Sequence, residues 1–173
     1  MSCYDSPSAK QHRDEAPDSV GCAVLTVSDT RTVADDRSGA TIVDLLSAAG
    51  HRIEAREVVR DEPASIEAAV RTLAANERVD AVLVTGGTGI AARDQTPDAI
   101  CGLLTKELPG YGELFRMLSF QEIGAAAMLS RAVGGLVDRT LVLLMPGSTA
   151  AVRLAMEQLI LPELGHLVAH AKR

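Results

Sequence analysis

The segment Thr85-Gly86-Gly87-Thr88-Gly89 directly follows a short apolar run and is the strongest candidate for chemistry in the chain. Its glycines let the backbone approach a ligand closely and present N–H groups, an arrangement suited to phosphate or another anion. A tight turn that needs positive φ explains the same residues equally well. The known phosphate motifs do not account for it. GxxxxGK[ST] is absent, which excludes a P-loop. Gly87-x-Gly89-x-x-Ala92 matches the loose dinucleotide fingerprint, and Glu107 lies 20 residues past Gly87. That fingerprint belongs after the first strand of a fold, however, and this loop follows the third. A nicotinamide site is therefore a weak reading.

Two carboxylates stand near this loop with no evident structural duty. Asp94 lies between the glycine segment and a helix start that Thr96, Pro97 and Asp98 already explain. Asp61 follows the second strand. Singly, each has a plain role: Asp94 making its own turn, Asp61 capping the helix at Pro63. Together on one edge they suit magnesium, which takes one or two carboxylates plus substrate phosphates. Magnesium would cancel repulsion between those acids and a triphosphate and stabilise charge on a transferring phosphoryl group.

Other candidates are weaker. Glu113 and Arg116 share a helix face and read first as a solvated ion pair. Met117, Leu118 and Phe120 read as core or subunit contact. Arg131, after Ser130, suits an anion or plain solvent equally. His166 and His170 are four apart but lack a third ligand, so an exposed C-terminal helix is favoured over a metal site. His12 and His51 suggest nothing, and no Ser/His/Asp or Cys/His set is evident.

The elements that must position these residues follow from pattern. Gly21–Ser28, Ile53–Val59 and Asp80–Thr85 read as buried strands, with Val133–Val137 and Leu141–Met145 joined by a turn at Asp138-Arg139. Helices are expected over Ala40–Ala49 (closed by Gly50), Ala64–Ala75, from Thr96, through most of 110–130, and from a Ser148 cap to Ile160, with a further piece after Pro162. Alternating strands and helices imply an α/β fold with helices on both faces of a parallel sheet. Ligands then bind beyond the carboxyl ends of the strands. Asp29, Asp61, Gly86–Gly89 and Pro146-Gly147-Ser148 all fall at that edge.

The 173 residues suit one domain, which averages roughly 150, plus a polar tail over residues 1–19. Hydrophobic residues make up 47% and charged residues 23%, an ordinary globular balance. With only Tyr4, Tyr111, Phe115 and Phe120 as aromatics, the core must be aliphatic, and a base-stacking surface is not expected. The net charge of −6 lacks the basic field that nucleic acid binding needs. No apolar run approaches the ~20 residues that span a bilayer, and no secretory leader is recognisable at the start. Cys3, Cys22 and Cys101 form no CxxC pair, so reduced thiols and a cytoplasmic location are expected.

Read in order, TGGTG, RDQTPDA, PGYGELFRMLSFQEIG, AMLSRAVGG and PGS resemble the molybdenum cofactor proteins of the MoaB/Mog family, most closely its MoaB branch. The likeness covers residues 20–171. It implies a three-layer αβα domain around a mostly parallel sheet with one antiparallel strand. It implies molybdopterin as ligand and, in active members, adenylylation of its terminal phosphate with ATP and Mg²⁺, followed by molybdate insertion in a MoeA-like protein. A homotrimer or homohexamer is also implied. Matched residue by residue, Thr85, Gly86, Gly87, Thr88 and Gly89 cradle the pterin ligand. Asp61 and Asp94 are the acids activity needs. Ser28, Asp29, Ser38 and Gly39 lie on the nucleotide and phosphate side, and Glu113, Ser130 and Ser148 complete the binding set. Gln95 and Thr149 depart from the commoner family residues. The alternative is a carrier or scaffold that holds molybdopterin without chemistry.

Overall fold

The computed structural model describes residues 16–173, so most of the expected tail, with Cys3 and His12, lies outside the described residues. The order is β1 (Gly21–Val27), α1 (Arg37–Ala48), β2 (Arg52–Val59), α2 (Pro63–Ala74), β3 (Ala81–Thr85), α3 (Thr96–Cys101), β4 (Lys106–Glu107), α4 (Pro109–Ile123), β5 (Val133–Val137), β6 (Thr140–Met145), α5 (Thr149–Ala155) and α6 (Leu161–Ala171). The six strands form one sheet in the order β2-β1-β3-β6-β5-β4. β2, β1, β3 and β6 pair in parallel, while β5 runs against both its neighbours.

The sheet separates two apolar layers, and alternation along the strands decides which residue joins which. Cys22, Val24, Ala81, Leu83, Leu141, Leu143 and Met145 face α1, α4, α5 and α6, where Ile42, Leu46, Phe115, Val152 and Leu164 are buried. Ala23, Leu25, Val27, Val82, Val84, Val142 and Leu144 face α2 and α3, meeting Ile66, Val70, Leu73 and Ile100. Strands covered on both faces read as continuous apolar runs, as β1, β3 and β6 do. No described helix is long and apolar enough to cross a membrane.

The element boundaries depart from expectation in four places. α1 begins one turn early, because Asp36 caps it by accepting from Gly39 N–H. The 110–130 stretch is α4 followed by a 3₁₀ segment, Gly124–Leu129. β4 has two residues, too few to leave a periodic signal. The C-terminal pieces are joined by one π-helical turn, Met156–Ile160, so the helix runs on without a break into α6, with Pro162 as its second residue.

Candidate functional site

The parallel strands deliver four loops to one sheet edge, and hydrogen bonds knit those loops together. Ser28 N–H donates to Val59 O at 2.9 Å, joining the ends of β1 and β2. Asp29 Oδ1 accepts from Asp61 N–H at 3.2 Å. Gly86 N–H donates to Met145 O at 3.2 Å and Thr85 Oγ1 to Pro146 O at 3.1 Å, joining β3 to the Pro-Gly-Ser loop.

Within the glycine segment, Gly86 and Gly87 have φ of +106° and +63°. A Cβ on Gly86 would lie 2.3 Å from Val27 O, and one on Gly87 only 2.0 Å from Thr96 Oγ1. Side chains are excluded there by conformation and by space. The turn is therefore real, and it also leaves donors available. Among the described residues, the N–H groups of Gly87, Thr88 and Gly89 make no protein hydrogen bond. Consecutive unpaired N–H groups in such a bend form a concavity suited to an anion.

Asp61 and Asp94 both close on this loop. The Cβ position of Gly87 lies 3.0 Å from Asp61 Oδ2, and that of Gly89 lies 2.4 Å from Asp94 Oδ2. Asp61 does not cap α2: Glu62 holds that position, and its side chain makes no cap hydrogen bond. Thr96 does not cap α3 as expected from sequence. Gln95 is the cap residue, and Thr96, inside the first turn and buried, directs its hydroxyl at Asp61 Oδ1 at 3.5 Å. Asp94 accepts from Ala91 N–H at 2.9 Å, so its turn-making role holds for one oxygen.

Desolvation raises the Asp61 pKa above the ordinary carboxylate value, and the Asp94 charge raises it further, against the lowering effect of the Gln95 N–H and the Thr96 hydroxyl. A carboxyl raised in the fold binds protons the unfolded chain has already lost. Its ionisation therefore costs stability as pH rises from the ordinary value through the raised one. Asp61→Asn is accordingly expected to melt higher than the parent at neutral pH, with the gap narrowing on acidification through that window. Thermal melts at stepped pH measure this; a variant that melts lower at pH 7 would contradict it.

The remaining sequence candidates occupy distinct places. Ser28 Oγ accepts from Thr30 N–H and Arg31 N–H, each at 3.3 Å, and shapes the loop after β1. Asp29 also forms an ion pair with Arg93, so the β1 and β3 loops meet across the edge. Ser38 Oγ donates to Gly147 O at 2.6 Å and accepts from Arg31 at 3.0 Å. Gly39 is buried beneath the rim, with its N–H on Asp36 Oδ1 at 2.9 Å. Ser148 caps α5 through Ala151 N–H at 3.2 Å. Ser130 and Glu113 line a depression of ≈ 440 Å³ between α4 and β5, where the Ser130 hydroxyl is buried without a partner. Arg116 bonds Ala132 O at 3.2 Å, and no Glu113–Arg116 ion pair forms among the described residues. The sequence reading missed Arg93 and Thr96 as site residues. Their partners, Asp29 and Asp61, lie far away along the chain, so spacing carried no signal.

Asp61 and Asp94 offer hard oxygen donors that fit a magnesium ion. Among the described residues no group of three or more His, Cys, Asp or Glu is placed to hold a metal. Such an ion would draw its other ligands from phosphate oxygens and water.

The family described as "Probable molybdopterin binding domain" matches residues 23–166. The molybdenum cofactor biosynthesis protein B of Halalkalibacterium halodurans is 52% identical over 162 residues, covering 93% of this chain and 95% of the relative. This chain belongs to the MoaB/Mog family. Two solved members of the family share its architecture. A crystal structure of molybdenum cofactor biosynthesis protein B superimposes with a TM-score of 0.89 at 52% identity, covering 92% of this chain and 99% of that one. The tungsten cofactor synthesizing protein MoaB from Pyrococcus furiosus does so at 0.82 and 35% identity, covering 91% and 100%. In the family's terms this is a molybdopterin-binding domain of molybdenum cofactor biosynthesis.

Proposed function

We propose that this protein adenylylates the terminal phosphate of molybdopterin with Mg-ATP. An oxygen of that phosphate attacks the α-phosphorus of ATP, the bond from the α-phosphorus to the bridging oxygen breaks, and pyrophosphate leaves. The observation that carries this reading is the closure of Asp61 and Asp94 on a loop whose successive N–H groups are free. Phosphoryl transfer needs little more from a protein than positioning and charge stabilisation.

The chain's own groups divide the work. The N–H groups of Gly87, Thr88 and Gly89 hold a phosphate. Asp61 and Asp94 would hold a magnesium ion, which would supply charge neutralisation between the two substrates. Ser28 and Asp29 form the nucleotide side, supported from beneath by the buried Asp36–Gly39 turn; Glu113, Ser130 and Ser148 form the pterin rim. Incubation with molybdopterin and Mg-ATP, followed by mass spectrometry, tests the reading. Adenylylated molybdopterin and pyrophosphate are expected. Pterin that binds but stays unmodified would contradict it and leave a carrier.

Self-association and a cytosolic hand-off to a molybdate-inserting protein complete the proposal. On α4 and the following turn, Leu114, Met117, Phe120, Ile123, Met128 and Leu129 are all exposed, from 47% to 80%. A contiguous apolar face of this kind marks an interaction surface. It is expected to join copies into a trimer or hexamer. Phe120→Glu with Met117→Glu should convert the assembly to monomers in sedimentation velocity; an unchanged sedimentation coefficient would remove this face from the interface.

A further inference from the structure

The geometry points to Arg131 as the positioning residue that holds Asp94 opposite Asp61. This rests on the adenylylation reading for its catalytic consequence, but its structural basis stands independently. Arg131 Nε donates to Gly89 O at 2.9 Å, one terminal nitrogen to Asp94 O, and the other to Asp98 Oδ2 at 2.8 Å. The guanidinium thus grips the carbonyls at both ends of the Gly89–Asp94 stretch and the first turn of α3 in one planar fork. Arginine is suited to this task because its donors are rigidly arranged, whereas a lysine ammonium reaches fewer of those oxygens at once.

The clamp acts on the segment that needs it. Residues 90–93 are exposed and carry no regular structure. Ala91 N–H on Asp94 Oδ2 restrains that segment from within, and Arg93 on Asp29 ties it to the β1 loop. Arg131 supplies the restraint from the β5 side. It also borders both surface depressions, the one containing Asp94 and the one containing Glu113 and Ser130. Its charge is already met by Asp98, which argues against a primary role in binding substrate anions. Displacing a catalytic group by as little as 1 Å can cost about 10²-fold in rate.

Full-length Arg131→Met and Arg131→Lys decide the matter through hydrogen exchange and kinetics together. In Arg131→Met, exchange of the Ala91 and Asp94 amides, the two in this stretch that are hydrogen-bonded, should accelerate at least about tenfold while β3 amides keep their protection, as expected of local opening. The kcat for AMP transfer should fall about 100-fold, with KM for molybdopterin changed less than about threefold. Arg131→Lys should recover part of both. Unchanged exchange at Ala91 and Asp94 overturns the clamp. Faster exchange spread through β3 with a lower melting temperature would show a general structural role instead. A raised KM with kcat preserved would make Arg131 a substrate-binding residue. If the wild-type protein transfers no AMP, the adenylylation reading fails by itself, and the exchange arm still decides whether Arg131 orders the loop.

Discussion

Replacing Asp61 or Asp94 with Asn is expected to lower AMP transfer by about 10²–10³-fold, the range seen when one preorganised electrostatic group is lost from a transition state. Either change removes one of two hard anionic donors while keeping side-chain size. The loop's packing should survive, since the Asp61 side chain lies against Gly87 and Thr96 whether or not it is charged. Molybdopterin affinity should change little, because the glycine N–H groups are untouched. The loss should therefore fall on kcat rather than on pterin binding. Asp61→Asn carries a second signature: the melting temperature rises as activity falls. A partly desolvated carboxylate held beside another acid gives up stability, as expected where it is kept for function. Steady-state kinetics on both variants checks this, and product formation at the wild-type rate in both would remove the acids from the mechanism.

Gly86→Ala is expected to be the most destabilising single change at the site. The residue sits at φ +106°, and the added methyl would lie 2.3 Å from Val27 O, a backbone atom of the interior strand β1. Backbone strain costs about 1–3 kcal/mol and overpacking about 1–3 kcal/mol. Their sum, about 2–6 kcal/mol, corresponds in a chain of this size to a melting temperature lower by about 4–24 °C. Gly110→Ala is the control, because nothing lies within 4 Å of its Cβ position and it falls in the first turn of α4. Thermal melts of the pair should separate clearly; a Gly86→Ala melt within about 2 °C of the parent would mean that the bend tolerates a side chain.

The architecture is legible in the sequence because its strongest signals are local. β1, β3 and β6 are covered on both faces and therefore stand out as unbroken apolar runs. Once those strands are placed, the edge rule for parallel sheets locates Asp29, Asp61, the glycine loop and Ser148 without further information. What escapes is decided by contacts between distant parts of the chain. Thr96 reads as a helix cap because its neighbours Pro97 and Asp98 are cap companions, yet its hydroxyl is drawn to Asp61, 35 residues earlier. Arg131 is ambiguous in sequence because its three acceptors lie 33 to 42 residues away and two of them are main-chain carbonyls, which no residue type announces. Asp36 escapes notice as a cap because the apolar spacing of α1 begins only at Ile42. The site's acids are visible in sequence; the groups that aim them are not.

Asp61, Asp94 and the glycine loop are proposed to form one site for a metal-bound nucleotide and an anionic pterin. Crystals soaked with Mn²⁺ and a non-hydrolysable ATP analogue, with data collected at the manganese edge, test it directly. An anomalous peak within coordination distance of both the Asp61 and Asp94 carboxylates, with phosphate density against the 87–89 amides, is the predicted result. Nucleotide bound elsewhere on the surface, with no manganese between those two acids, would contradict it.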